Sequence, residues 1–101
     1  MSLKNLKDRY QEILAIGLFN GEPGQYLEEF EMEKYIDSTG LSQIISDMEE
    51  KSGLETIIIE EDHILFIMRL YEKLFLTCVA PSSKPFGYCR NILHRMADEI
   101  S

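Results

Sequence analysis

The segment IIIEEDHILFIMRLYEKLFLTCVAP, Ile57 to Pro81, carries most of the hydrophobic density of this 101-residue chain and constrains its fold more than any other feature. A membrane-spanning helix needs about 18 or more nearly uninterrupted apolar residues. Here Glu60, Glu61, Asp62, Arg69, Glu72 and Lys73 break the run. A single long helix is disfavoured as well. Ile57, Ile58 and Ile59 are consecutive β-branched residues, which lose side-chain freedom in a helix and suit a pleated sheet. Two polar clusters, Glu60-Glu61-Asp62-His63 and Glu72-Lys73, leave three runs: Leu54 to Ile59, Ile64 to Tyr71 and Leu74 to Ala80. Each has the length of a strand. Short polar links between such runs favour an antiparallel meander.

The middle run sets the environment of that meander. Ile64, Phe66, Met68 and Leu70 share one face of a strand, and Leu65, Ile67, Arg69 and Tyr71 share the other. Both faces are largely apolar, so the strand sits centrally with a covering layer on each side.

The remaining sequence supplies the cover. Leu3, Leu6 and Tyr10 follow helical spacing. Ile13 to Phe19 is an apolar run of strand length, stopped by the turn Asn20-Gly21-Glu22-Pro23-Gly24. From Tyr26 to Tyr35, Phe30 and Met32 alternate with Glu29, Glu31 and Glu33, which predicts an edge strand with an acidic outer face. A helix through Leu27, Phe30 and Lys34 is the rival reading. Asp37-Ser38-Thr39-Gly40 offers capping oxygens for a helix whose stripe is Leu41, Ile44, Ile45 and Met48, with Gly53 as its stop. Ser82-Ser83-Lys84-Pro85 opens a last helix with the stripe Tyr88, Cys89, Ile92, Leu93, Met96 and Ile100. The order helix, two strands, helix, three strands, helix predicts an α+β fold: a five-stranded antiparallel sheet sandwiched by helices. One domain over residues 1–101 accommodates it.

Composition narrows function by exclusion. The formal net charge of −8 argues against a nucleic-acid partner, which selects clustered Lys and Arg, and against an anionic membrane surface. Glu28, Glu29, Glu31 and Glu33 read first as a hydrated strand face and second as a candidate surface for a basic partner. Paired carboxylates for acid–base work explain them less well. Two cysteines, Cys78 and Cys89, both in apolar contexts, suit a cytoplasmic chain with reduced thiols. His63 and His94 fall on different predicted elements, with no Cys pair at metal spacing. Glu60-Glu61-Asp62 reads as a solvated turn rather than a cation site. No phosphate-binding loop, dinucleotide fingerprint or EF-hand loop occurs. The expectation is a protein without metal, cofactor or catalytic residues.

The helix stripe Leu41-Ile44-Ile45-Met48 has two readings. One is packing on the chain's own sheet. The other is a subunit interface, because two apolar sheet faces have only three short helices to cover them.

In its order of elements the chain resembles the roadblock family of dynein light chains over nearly its whole length. The resemblance rests on Ala15-Ile16-Gly17-Leu18-Phe19 running into Asn20-Gly21-Glu22-Pro23-Gly24, on the central helix before three consecutive strands, and on the Ala80-Pro81 exit into a final helix. It implies a roadblock/profilin-like sheet with the first and last helices on one face and the central helix on the other. It also implies a dimer, with a second copy or a paralogous chain, through antiparallel central helices and paired third strands. On this sequence those are Leu41, Ile44, Ile45 and Met48, with Leu54, Thr56 and Ile58 on the edge. Family members are non-catalytic platforms in motor and signalling complexes, and bacterial relatives stimulate a Ras-like GTPase, so a small GTPase is the implied partner class. This chain departs from the pattern in a short first helix and an unusually acidic second strand. A monomeric sensory domain of similar build, holding a small ligand between its layers, is the alternative.

Overall fold

In the computed structural model, which describes residues 3–50 and 54–100, the Ile57-to-Pro81 segment folds back on itself as three antiparallel strands. They are β3 (Glu55–Ile59), β4 (His63–Tyr71) and β5 (Leu74–Pro81). Ahead of them come α1 (Leu3–Arg9), β1 (Ala15–Asn20), β2 (Gln25–Phe30), a 3-10 turn at Met32–Lys34 and α2 (Ser38–Glu50). The last element is α3 (Phe86–Ile100). The strands form one sheet in the order β2-β1-β5-β4-β3, and every neighbouring pair is antiparallel. The predicted fold class is the observed one. Gly53, the expected stop of the central helix, lies outside the described residues.

The alternation read in the middle strand separates two cores. Ile64, Phe66 and Met68 of β4 join Leu3 and Leu6 of α1 and Cys89, Ile92, Leu93, Met96 and Ala97 of α3 on one face. Leu65 and Ile67 join Leu41, Ile45 and Met48 of α2 on the other, with Phe19, Phe75 and Val79. β4 and β5 are therefore buried on both sides, as their near-continuous apolar sequence requires.

Helix α2 starts where the sequence signals it. Asp37 Oδ1 accepts the Gly40 N–H at 2.8 Å, capping the first turn. The helix then crosses one end of the sheet. Gly24, at φ 95°, brings the β1–β2 turn against Ser42, and a Cβ there would stand 2.6 Å from the Ser42 Oγ. Glu49, one residue from the other end, bonds Lys73 in the β4–β5 turn and lies 3.5 Å from Arg69. Gly17 in β1 also allows a close approach, because a Cβ would sit 3.0 Å from both Met32 Cγ and Thr77 Oγ1.

Two local expectations need correction. The strand predicted from Tyr26 to Tyr35 ends at Phe30. Glu31 turns to a left-handed φ of 69°, and Met32 to Lys34 form a 3-10 turn. Phe30 packs on the α1/α3 core and Met32 in the α2 core, so the chain changes face between them. The cause is a local bond that alternation does not encode: the Glu29 carboxylate accepts the Met32 N–H at 2.8 Å. In α3, helical spacing puts Tyr88 on the buried stripe, but the side chain is exposed. Its hydroxyl donates to Glu12 at 2.7 Å, and Ala97 completes the stripe instead.

Candidate interaction surfaces

Three of the seven residues assigned to a contact between copies lie inside the protomer. Leu41, Ile45 and Met48 are 0–3% exposed and close the core under α2. Ile44 is half-buried at its margin. The outer side of α2 presents Gln43, Ser46, Asp47 and Glu50. The other four assigned residues, Ile44 included, reach the surface. Thr56 and Ile58 are half-buried on the α2 face of β3, and Leu54 is 68% exposed. Ile59, 70% exposed, belongs with them but was not singled out in the sequence. The signal was present in the unbroken Ile57-Ile58-Ile59 run.

β3 lies at the edge of the sheet and, among the described residues, pairs only with β4. The Arg69 N–H bonds Leu54 C=O, and the Glu60 N–H bonds His63 C=O, both at 2.9 Å. Successive residues of a strand direct their backbone groups to alternate sides. Leu54, Thr56, Ile58 and Glu60 therefore bond inward to β4. Glu55, Ile57 and Ile59 turn their N–H and C=O groups outward, to the open edge.

The Glu55 side chain has firm partners on α3. Arg90 holds its carboxylate with two bonds, Nε at 2.9 Å and Nη2 at 3.2 Å. His94 Nε2 stands 3.5 Å away. Arg90 and His94 are four apart on one helix, which the sequence shows, but Glu55 lies 35 residues before Arg90, beyond any local pattern.

The acidic set at β2 is not uniform. Glu29 is half-buried and occupied with the Met32 N–H. Glu31 pairs with Lys34, whose ammonium hydrogen-bonds its carboxyl and lowers its pKa. Glu28 and Glu33 are exposed. Leu27 stands among them at 55% exposure. Tyr26 turns inward and donates its hydroxyl to Ile36 C=O at 2.9 Å. Burial, then the carboxylates of Glu29, Glu33 and Asp37, push its pKa well above the ordinary phenol value.

Cys78 and Cys89 are buried as free thiols, and desolvation pushes both pKa values up, away from the reactive thiolate. His63 pairs with Asp62 at 2.7 Å and stands edge-on to Tyr35. Among the described residues, no three His, Cys, Asp or Glu side chains converge as a metal site. None of the described helices is long and apolar enough to cross a membrane.

This architecture is that of the roadblock-type fold. MglB of Myxococcus xanthus superposes with a TM-score of 0.71 at 13% identity, covering 95% of this chain and 85% of that one. MglC of the same organism gives 0.70 at 14% identity, covering 99% and 97%. A Roadblock/LC7 domain from Streptomyces avermitillis gives 0.71 at 13% identity, covering 96% and 92%. No family model and no curated protein matches the sequence.

Proposed function

We propose that this protein is a non-catalytic interaction module that dimerises through β3 and the outer side of α2 and presents the joined sheet as a scaffold. The carrying observation is the β3 edge. Among the described residues the outward backbone groups of Glu55, Ile57 and Ile59 have no partner; the Ile59 side chain is exposed, and so is Leu54 next to Glu55. Such an edge invites another strand. A second copy is the simplest occupant, and a paralogous chain of the same fold is the other. A related MglB structure is described as having a tetrameric arrangement, at TM-score 0.71 and 17% identity, which favours assembly in this fold. The resemblance to roadblock domains extends the reading to a small Ras-like GTPase, or a motor or signalling complex, as the partner on the finished platform. The exposed carboxylates Glu28 and Glu33 offer that partner an acidic surface.

Light scattering across a dilution series tests the first step. The expected mass is twice the 11.7 kDa of the chain, persisting to micromolar concentration. A monomer throughout removes the homodimer. The second step is tested with purified Ras-like GTPases in GDP- and GTP-loaded forms. Nucleotide-dependent binding supports regulation, and absence of binding to either form removes this partner class.

A further inference from the structure

Glu55 is the only ionisable side chain within β3, and its backbone lies in the outward-directed set. An antiparallel second copy of β3 joins all three outward residues only when centred on Ile57. Ile57 then stands opposite the partner's Ile57, and Glu55 opposite the partner's Ile59. Shifting by two residues leaves an outward residue of each strand without a counterpart within β3. Shifting further toward Glu55 sets two carboxylates face to face, which is repulsive.

In the isolated protomer the Glu55 side chain is 19% exposed, on a strand at the open edge of the sheet. A second strand closes that edge, so the charge must be neutralised where it stands. Arg90 does this with two hydrogen bonds, and His94 lies beside the same oxygen that Arg90 Nη2 holds.

Resting on the dimer reading above, we infer that Arg90 is a positioning residue for the seam: by holding Glu55 against α3, it prepares β3 to pair with a second copy in one register, Ile57 opposite the partner's Ile57.

Two experiments test this on the full chain. The first is disulfide trapping. Hydrogen-bonded antiparallel residues have Cα atoms about 5.5 Å apart, within disulfide reach. Ile57→Cys is expected to give a covalent dimer under mild oxidation. Ile59→Cys is expected not to, because its two copies stand about 13 Å apart, four residues at roughly 3.3 Å each. Cys78 and Cys89 are buried, which keeps the background low. A covalent dimer through position 59, or none through position 57, overturns the register.

The second is a charge cycle. Arg90→Ala is expected to weaken the dimer about tenfold or more, the scale of a lost hydrogen bond to a charged group. Adding Glu55→Gln to Arg90→Ala is expected to restore affinity, because no charge remains to neutralise. A tether with a purely structural role gives no such recovery, and that result overturns the inference. An Arg90→Ala dimer as tight as wild type does the same. A wild-type chain that is monomeric at all concentrations overturns both this inference and the dimer reading. A wild-type dimer that fails either test overturns the inference alone.

Discussion

At one edge of the sheet β2 exposes Leu27 between tyrosine and glutamates, with Glu28 and Glu33 facing solvent. At the other, β3 carries Thr56-Ile57-Ile58-Ile59 and a single carboxylate that α3 already holds. Among the described residues both edge strands leave backbone groups unpaired, but within the strands themselves only β2 has a free charge, Glu28, to discourage another strand. α1 and α2 both lie near β2, whereas β3 is left partly open. A difference of this kind between two edges of one sheet separates a solvated boundary from one suited to assembly.

The largest expected effect tests where α2 belongs. Ile45 is 2% exposed, and its methyl group stands near Gly21 in the β1–β2 turn. Ile45→Glu buries an unpaired charge, at a cost of about 3–5 kcal/mol. The expected result is a collapse of the unfolding midpoint in chemical denaturation. A variant that keeps its midpoint and loses only its assembly would move the apolar stripe of α2 from core to interface.

A second substitution addresses the contrast between edges directly. Ile58→Lys places a charge on the α2 face of the proposed seam, opposite the partner's Thr56. Desolvating it in both copies is expected to weaken the dimer by about 3 kcal/mol, roughly a hundredfold. Glu28→Lys on the opposite edge is expected to leave the dimer unchanged. Sedimentation equilibrium measures both. Equal effects at the two edges would break the comparison.

The α2 side of this contrast was legible in part. Spacing alone located Leu41, Ile44, Ile45 and Met48 on one stripe, because an amphipathic helix announces its buried face at every turn. What that stripe touches is a tertiary matter. The same four residues suit a sheet or a second helix, and only the packing of Leu41, Ile45 and Met48 with Phe19, Leu65, Ile67, Phe75 and Val79 of the strands shows that three of them close the protomer. The three-strand meander was readable for the opposite reason: the Ile57-to-Pro81 segment leaves few ways to bury two apolar faces. At β2, alternation continued past Phe30, but one side-chain bond from Glu29 and a left-handed Glu31 ended the strand. The Glu55 clamp was not readable, since its partners are distant in sequence.

The β2 edge also depends on close packing behind it. A methyl at Gly17 meets Met32 and Thr77 at 3.0 Å and Tyr26 at 3.1 Å, contacts that bring β2 and its following turn onto the sheet. Gly17→Ala is expected to cost about 2 kcal/mol through overpacking. Thermal unfolding measures the loss, and amide exchange is expected to accelerate first in β2. Acceleration confined to β3 would show that the two edges are not independently supported.

The smallest expected effect concerns the charge that β2 neutralises for itself. Lys34 pairs with Glu31, lowering the carboxyl pKa while its own is raised, and both groups are exposed. The carboxylate contributes stability above its unfolded pKa and loses it as pH falls through the lower folded value. The ammonium contributes below its unfolded pKa and loses it as pH rises through the higher folded one. Near neutral pH both contributions are present, and solvent screens them. Lys34→Ala is expected to lower the melting temperature slightly at low salt, with the difference vanishing at about 1 M salt. It also raises the net negative charge beside Glu28 and Glu33. If the acidic edge serves only to repel other strands, assembly through β3 remains as it was. If Lys34→Ala instead weakens assembly, the two edges are coupled through the sheet, and charge at β2 tunes pairing at β3.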